Sequence, residues 1–199
     1  MASPLRIQIA SGLAIHSIKK GNFSDILKPA ARDLILAGDC LKAGDPINNK
    51  FSKYLLQNWS RVFYVDGISE RMGYDPVFEN YYQRLVVIRS PNEFTLGRIP
   101  SGHLVNLIST PLIPWEVDAT RQNHIGFLRS TLKQNTKSYK YIVAAAGVVP
   151  KDIDAPLIVQ GIAEQNQFNP SVGAVTNSRT NPNGTRRRSY RSDFVLELK

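Results

Sequence analysis

Cysteine occurs once in the 199 residues, as Cys40, so no intramolecular disulfide framework holds this chain together. A lone thiol at the end of an apolar run suits a reducing compartment and a core-filling role. Histidine is nearly as scarce: only His16, His103 and His124 are present, which leaves little imidazole for metal or acid–base sites. Long hydrophobic runs are missing too. The longest, residues 142–149, falls far short of the roughly 20 residues that a membrane-spanning helix needs. The opening Met1-Ala2-Ser3-Pro4-Leu5-Arg6 has no basic segment leading into an apolar stretch, so a secretory leader is not expected. The expected location is intracellular, in the cytoplasm, as a soluble protein.

What is present is ordinary for a folded domain. Hydrophobic residues make up 42% of the chain and charged residues 21%, enough to build a core and too apolar for wholesale disorder. The length suits a single domain over residues 1–199. The formal net charge is +9, an excess that favours acidic partners, whether protein or nucleic acid.

Hydrophobic periodicity gives an α/β pattern. Short strands are expected at residues 6–10, 33–37, 61–65, 85–88 and 141–145. Phe51, Tyr54, Leu55 and Trp59 recur at helical spacing and predict a helix over residues 49–59; two further helices are expected over 75–84 and 121–135. A strand, a helix and a strand in succession make parallel pairing the simplest arrangement at this end. Residues 90–114 contain Pro91, Pro100, Pro111 and Pro114 and read as loops with one or two short strands, such as one over 104–108. Residues 157–162 fit either a strand or a short helix. Asn181-Pro182-Asn183-Gly184 predicts a hairpin between strands at 173–177 and 185–190, and residues 194–198 close an antiparallel segment.

The ends of these strands hold the functional information, because ligands of open α/β sheets gather at strand carboxyl ends. In order they are Ser11-Gly12-Leu13-Ala14, Gly38-Asp39, Asp66-Gly67-Ile68-Ser69-Glu70, Ala144-Ala145-Ala146-Gly147 and Gly173-Ala174-Val175-Thr176. Over nearly the whole chain, this order and spacing resemble the calcineurin-like metallophosphoesterases. In that family the first strand ends in Asp-x-His, the second in Gly-Asp and the third in Gly-Asn-His-Glu. A later strand adds a histidine, and Gly-His-x-His precedes the final hairpin. The resemblance implies a β-sandwich of mixed sheets flanked by helices, and two-metal phosphoester hydrolysis in its active members.

Measured against that pattern, the ligands are missing. Gly12 and Ala14 stand where the first aspartate and histidine would be, and Ile68 and Ser69 replace the asparagine and histidine of the third block. The later histidine falls among Ala144, Ala145 and Ala146. The final pair becomes Ala174 with Val175 or Thr176. Gly67 and Glu70 match, and Asp39 is the only surviving metal-ligand position. Losing one supporting group weakens a metal site roughly 10–100-fold, whereas losing nearly every ligand leaves no site to weaken. His16, Asp25, Asp66 and Glu70 are the side chains nearby that could rebuild one; His103 and His124 lie off the family positions. The expectation is a pseudoenzyme without catalytic residues, metal or cofactor. Asp39 would then cap the next loop or hydrogen-bond backbone amides.

A basic segment, Arg179, Arg186, Arg187, Arg188 and Arg191, is the remaining candidate site. As a strand it would send Arg186 and Arg188 to one face and Arg187 to the other. It serves either as a charged edge that discourages strand pairing or as a dock for an anionic partner, with Tyr190 available for stacking. Non-catalytic relatives of the resembled family act as assembly subunits. The resemblance therefore implies a structural, protein-interaction scaffold, concretely a minor capsid component in the virion of a large DNA virus. The alternatives are a nucleic-acid-associated accessory protein or a residual metal-dependent phosphoesterase.

Overall fold

The computed structural model describes residues 3–18, 21–71, 83–113, 117–134, 139–147, 149–150, 152–153, 155, 157–161, 173–175, 177–180, 185–186 and 188–199. Two five-stranded mixed sheets form its centre. The first contains β1 (Leu5–Ala10), β2 (Asp33–Ala37), β3 (Arg61–Val65) and β4 (Leu85–Ile88), all parallel, with the last strand β10 (Val195–Leu198) antiparallel beside β1. The second runs β5 (Asn92–Arg98), β6 (Leu104–Thr110), β7 (Tyr139–Ala145), β8 (Leu157–Gln160) and β9 (Gly173–Val175), with only the β5/β6 pair antiparallel. The expected α/β architecture of mixed sheets flanked by helices is therefore present.

Alternation along the strands explains the layering. Ile7, Ile9, Ile35, Phe63 and Val65 turn to one side and pack with Leu96, Val105, Leu107, Ile142 and Ala144 of the second sheet. Ala10, Leu34, Leu36, Val62 and Tyr64 turn to the other side. They meet Phe51 and Leu55 from α2 (Ile47–Asn58), together with Trp59 just beyond its end. On the outer face of the second sheet, Ile108, Val143 and Ile158 meet Ile125 and Leu128 of α4 (Asp118–Lys133). Strands covered on both faces read as unbroken apolar runs, which is why Leu34-Ile35-Leu36-Ala37 looked so uniform in sequence. Two short helices complete the first sheet's surroundings, α1 (Phe23–Ile26) and α3 (Ile68–Arg71).

A polar side chain also ties this frame together. Gln8 is fully buried on β1, where its Oε1 accepts from Ala30 N and Trp59 Nε1, both at 3.0 Å. Its Nε2 donates to the carbonyls of Lys28 at 2.7 Å and Ser192 at 2.9 Å. Every hydrogen-bonding position of this amide is used, so its burial costs little.

Several sequence expectations need correction. The proline-bearing stretch 90–114 holds two strands, within the one or two expected, but each runs to seven residues, because Pro91, Pro100 and Pro111 bracket β5 and β6 instead of interrupting them. Among the described residues of 185–190 no strand forms: Arg186 bridges back to Thr180, and Arg188 and Ser189 form a turn. The closing strand is antiparallel as expected, paired with β1. Residues 157–160 are strand. The expected helix over 75–84 lies mostly outside the described residues, as does the turn at 181–184.

Candidate functional site

The first four strand-end segments converge, and residues 177–179, just beyond the fifth, meet the first. Beyond its last residue β1 continues to bond its neighbour: Gly12 N donates to Gly38 O at 2.9 Å and Ile15 N to Cys40 O at 2.8 Å. On its other side Ser11 N donates to Asn177 O and Arg179 N to Ser11 O, both at 3.1 Å. Ser11 Oγ donates to Gly161 O at 3.4 Å.

These segments approach one another closely at two glycines. A methyl group on Gly38 would sit 2.5 Å from the Cβ of Ala146, and one on Gly67 would sit 2.4 Å from Asp39 N. Real Cβ contacts are not this short, so only glycine lets these backbones approach each other. Gly38 also has φ +75°, a conformation that favours glycine. Of the three alanines where a histidine was expected, Ala146 is the one that meets Gly38.

The acids at this junction are engaged with backbone. Asp39, at φ 54°, accepts from Ser69 N at 3.0 Å through Oδ1. Glu70 is buried and collects Asp39 N at 3.1 Å, Cys40 N at 2.8 Å, Leu41 N at 3.0 Å and Gly67 N at 3.0 Å. The hydroxyl of Tyr64 also donates to it. Burial, reinforced by the Asp39 carboxylate, outweighs these donors and pushes the Glu70 carboxyl up from 4.5 to about 7. The role anticipated for Asp39, bonding to backbone amides, is the one it has. In sequence Glu70 reads as a matched position and as a spare carboxylate, not as a holder of backbone. Its signal was the Gly67-x-x-Glu70 spacing, in which a glutamate at the third helical position reaches back to the N–H before the helix.

The remaining candidates are scattered. His16 is exposed on the turn Ile15–Ser17, and Asp25 Oδ2 accepts from Asn22 N at 3.2 Å. Asp66 is buried and paired with Arg89 at 2.9 Å; its pKa is raised because burial outweighs the guanidinium. His103 Nδ1 lies 2.9 Å from Ser101 Oγ, and His124 is buried on α4. Cys40 is fully buried and its thiol is pushed well up, first by burial, which suits core filling and disfavours a thiolate. Among the described residues no three His, Cys, Asp or Glu side chains group as metal ligands. The donor set does not fit a two-metal centre: the expected ligand positions offer methyl groups and glycines, and both nearby acids are held by backbone N–H groups.

The basic segment divides. Arg179 is buried, with Nη1 donating to Leu13 O at 2.7 Å. The Thr180–Arg186 bridge brings Arg186 back toward it, and both arginines line one cleft of about 500 Å³ with Ser17, Asn22, Asp25 and Tyr190. Burial, with Arg186 nearby, lowers the Arg179 pKa from its ordinary value. Arg188 and Arg191 do not line this cleft. Arg191 is exposed and lies 3.6 Å from Asp193. Arg187 lies outside the described residues. Sequence reasoning missed the cleft because α1 and the turn Ile15–Ser17 sit in a stretch that read only as polar. Among the described residues no helix is long and apolar enough to cross a membrane. No protein-family model matches this sequence, and no curated protein matches it.

Proposed function

We propose that this chain is a non-catalytic, metallophosphoesterase-like domain that works as a structural scaffold in a protein assembly. The observation that supports it is the strand-end junction, where Gly12, Ala14, Ile68 and Ser69 stand at expected ligand positions and Glu70 spends its carboxylate on four backbone N–H groups. A fold whose catalytic position has become a packed joint retains rigidity and outer surface as its useful properties. The net charge of +9 makes an acidic protein the partner class, and a minor capsid protein is the concrete form of the proposal.

The test is hydrolysis of chromogenic phosphate monoesters and diesters in the presence of Mn²⁺, Mg²⁺ or Zn²⁺. Wild type and Asp39→Ala should both match the metal-only blank. Turnover by wild type that Asp39→Ala abolishes would overturn the proposal and establish a residual phosphoesterase.

A further inference from the structure

Two guanidinium groups share the cleft beside α1, and neither is ion-paired with the Asp25 carboxylate that also lines it. Among the described residues no salt bridge reaches Arg179 or Arg186. Arg179 is held in place by its bond to Leu13 O, and Arg186 by the bridge of its backbone to Thr180. Like charges held together in this way repel each other, and a bound dianion relieves that repulsion.

The rest of the lining narrows the ligand. Tyr190 is half-buried, and its hydroxyl donates to Ile26 O at 2.6 Å, which fixes its ring as an aromatic wall. Asp25 adds an exposed carboxylate, an acceptor suited to sugar hydroxyls, and Ser17 and Asn22 add small polar groups. A volume of about 500 Å³ exceeds what a lone phosphate fills and falls within the usual range for small-molecule sites. We propose that this cleft binds a nucleoside monophosphate, with its phosphate between Arg179 and Arg186 and its base against Tyr190. None of Asp39, Asp66 or Glu70 lines the cleft, so this binding is independent of the scaffold role.

Isothermal titration with AMP, adenosine and inorganic phosphate tests it, using wild type and Arg186→Ala. Arg186 is exposed, so its truncation should leave the thermal midpoint unchanged. The expected result is saturable AMP binding, weaker binding of phosphate, none of adenosine, and a Kd for AMP raised about tenfold or more in Arg186→Ala, the loss of one charge-assisted contact. Arg186→Lys should recover part of the affinity. Absence of AMP binding at millimolar concentration would overturn the proposal, as would phosphate or adenosine binding as tightly as AMP, or an Arg186→Ala protein with unchanged affinity.

Discussion

The backbone N–H of Asp39 donates to the carboxylate of Glu70 at 3.1 Å, while the carboxylate of Asp39 accepts from Ser69 N, one residue before Glu70, at 3.0 Å. The two acids thus fasten the end of β2 to the start of α3 from both sides. Removing Glu70 should be far more damaging than removing Asp39. Glu70→Ala strands four backbone N–H groups and should cost about 3–5 kcal/mol, read as a shift in urea midpoint, whereas Asp39→Ala frees one exposed-side N–H and should cost about 1 kcal/mol. Equal costs would contradict this division.

Glu70 also sets a pH dependence. Its carboxyl rises from 4.5 to about 7 in the folded protein, so between these values the folded state holds a proton that the unfolded state has released. Stability is fully expressed below about pH 4.5 and is lost as pH rises through 7, by up to about 3 kcal/mol. Asp66, also raised by burial, pulls in the same direction. Urea midpoints should therefore fall from pH 5 to pH 8, and Glu70→Gln should remove most of the slope. A wild-type midpoint that rises over this range would refute the assignment.

The close approach at the strand ends makes its own prediction. Gly67→Ala places a methyl group 2.4 Å from Asp39 N, where the neighbour is backbone and cannot swing aside. The expected loss is at least about 1–3 kcal/mol, and Ala146→His, which places a far larger side chain against Gly38, should be worse. Thermal denaturation of both variants measures this, and a stable, folded Ala146→His protein would show that the junction has room.

Gln8 is the buried amide whose partners span the N-terminal strand, α2's exit and the segment before β10. Gln8→Leu keeps the volume but leaves the Lys28 carbonyl and two N–H donors unpaired, while Ser192 O keeps its bond from Lys28 N, and should cost about 3 kcal/mol. Chemical denaturation should register the loss, and a neutral result would mean that water or rearrangement replaces all four bonds.

The elements most legible in the sequence were those with strong local patterns. Residues 33–37, 61–65 and 85–88 lie where their apolar runs placed them, and Phe51 and Leu55 turn inward from α2 as their spacing required. Strand β5 was obscured because Asn92-Glu93-Phe94-Thr95-Leu96 buries only Leu96 firmly, so its alternation is weak. The basic segment misled for a different reason. Its alternating pattern fits a strand, yet among its described residues Arg186 alone makes a bridge, and strand pairing is a long-range property that local alternation does not encode. The strand-end residues were identifiable one by one, yet their closure depends on the approach of Gly38, Gly67 and Ala146 from three separate strands.

The central claim is that the strand-end junction is a packed joint and holds no metal. Its most direct test is the metal content of the purified protein, measured by mass spectrometry after incubation with Mn²⁺ or Zn²⁺ and desalting. Wild type and Asp39→Ala should both retain far less than one ion per chain. One or two ions per chain in wild type, lost in Asp39→Ala, would contradict the claim.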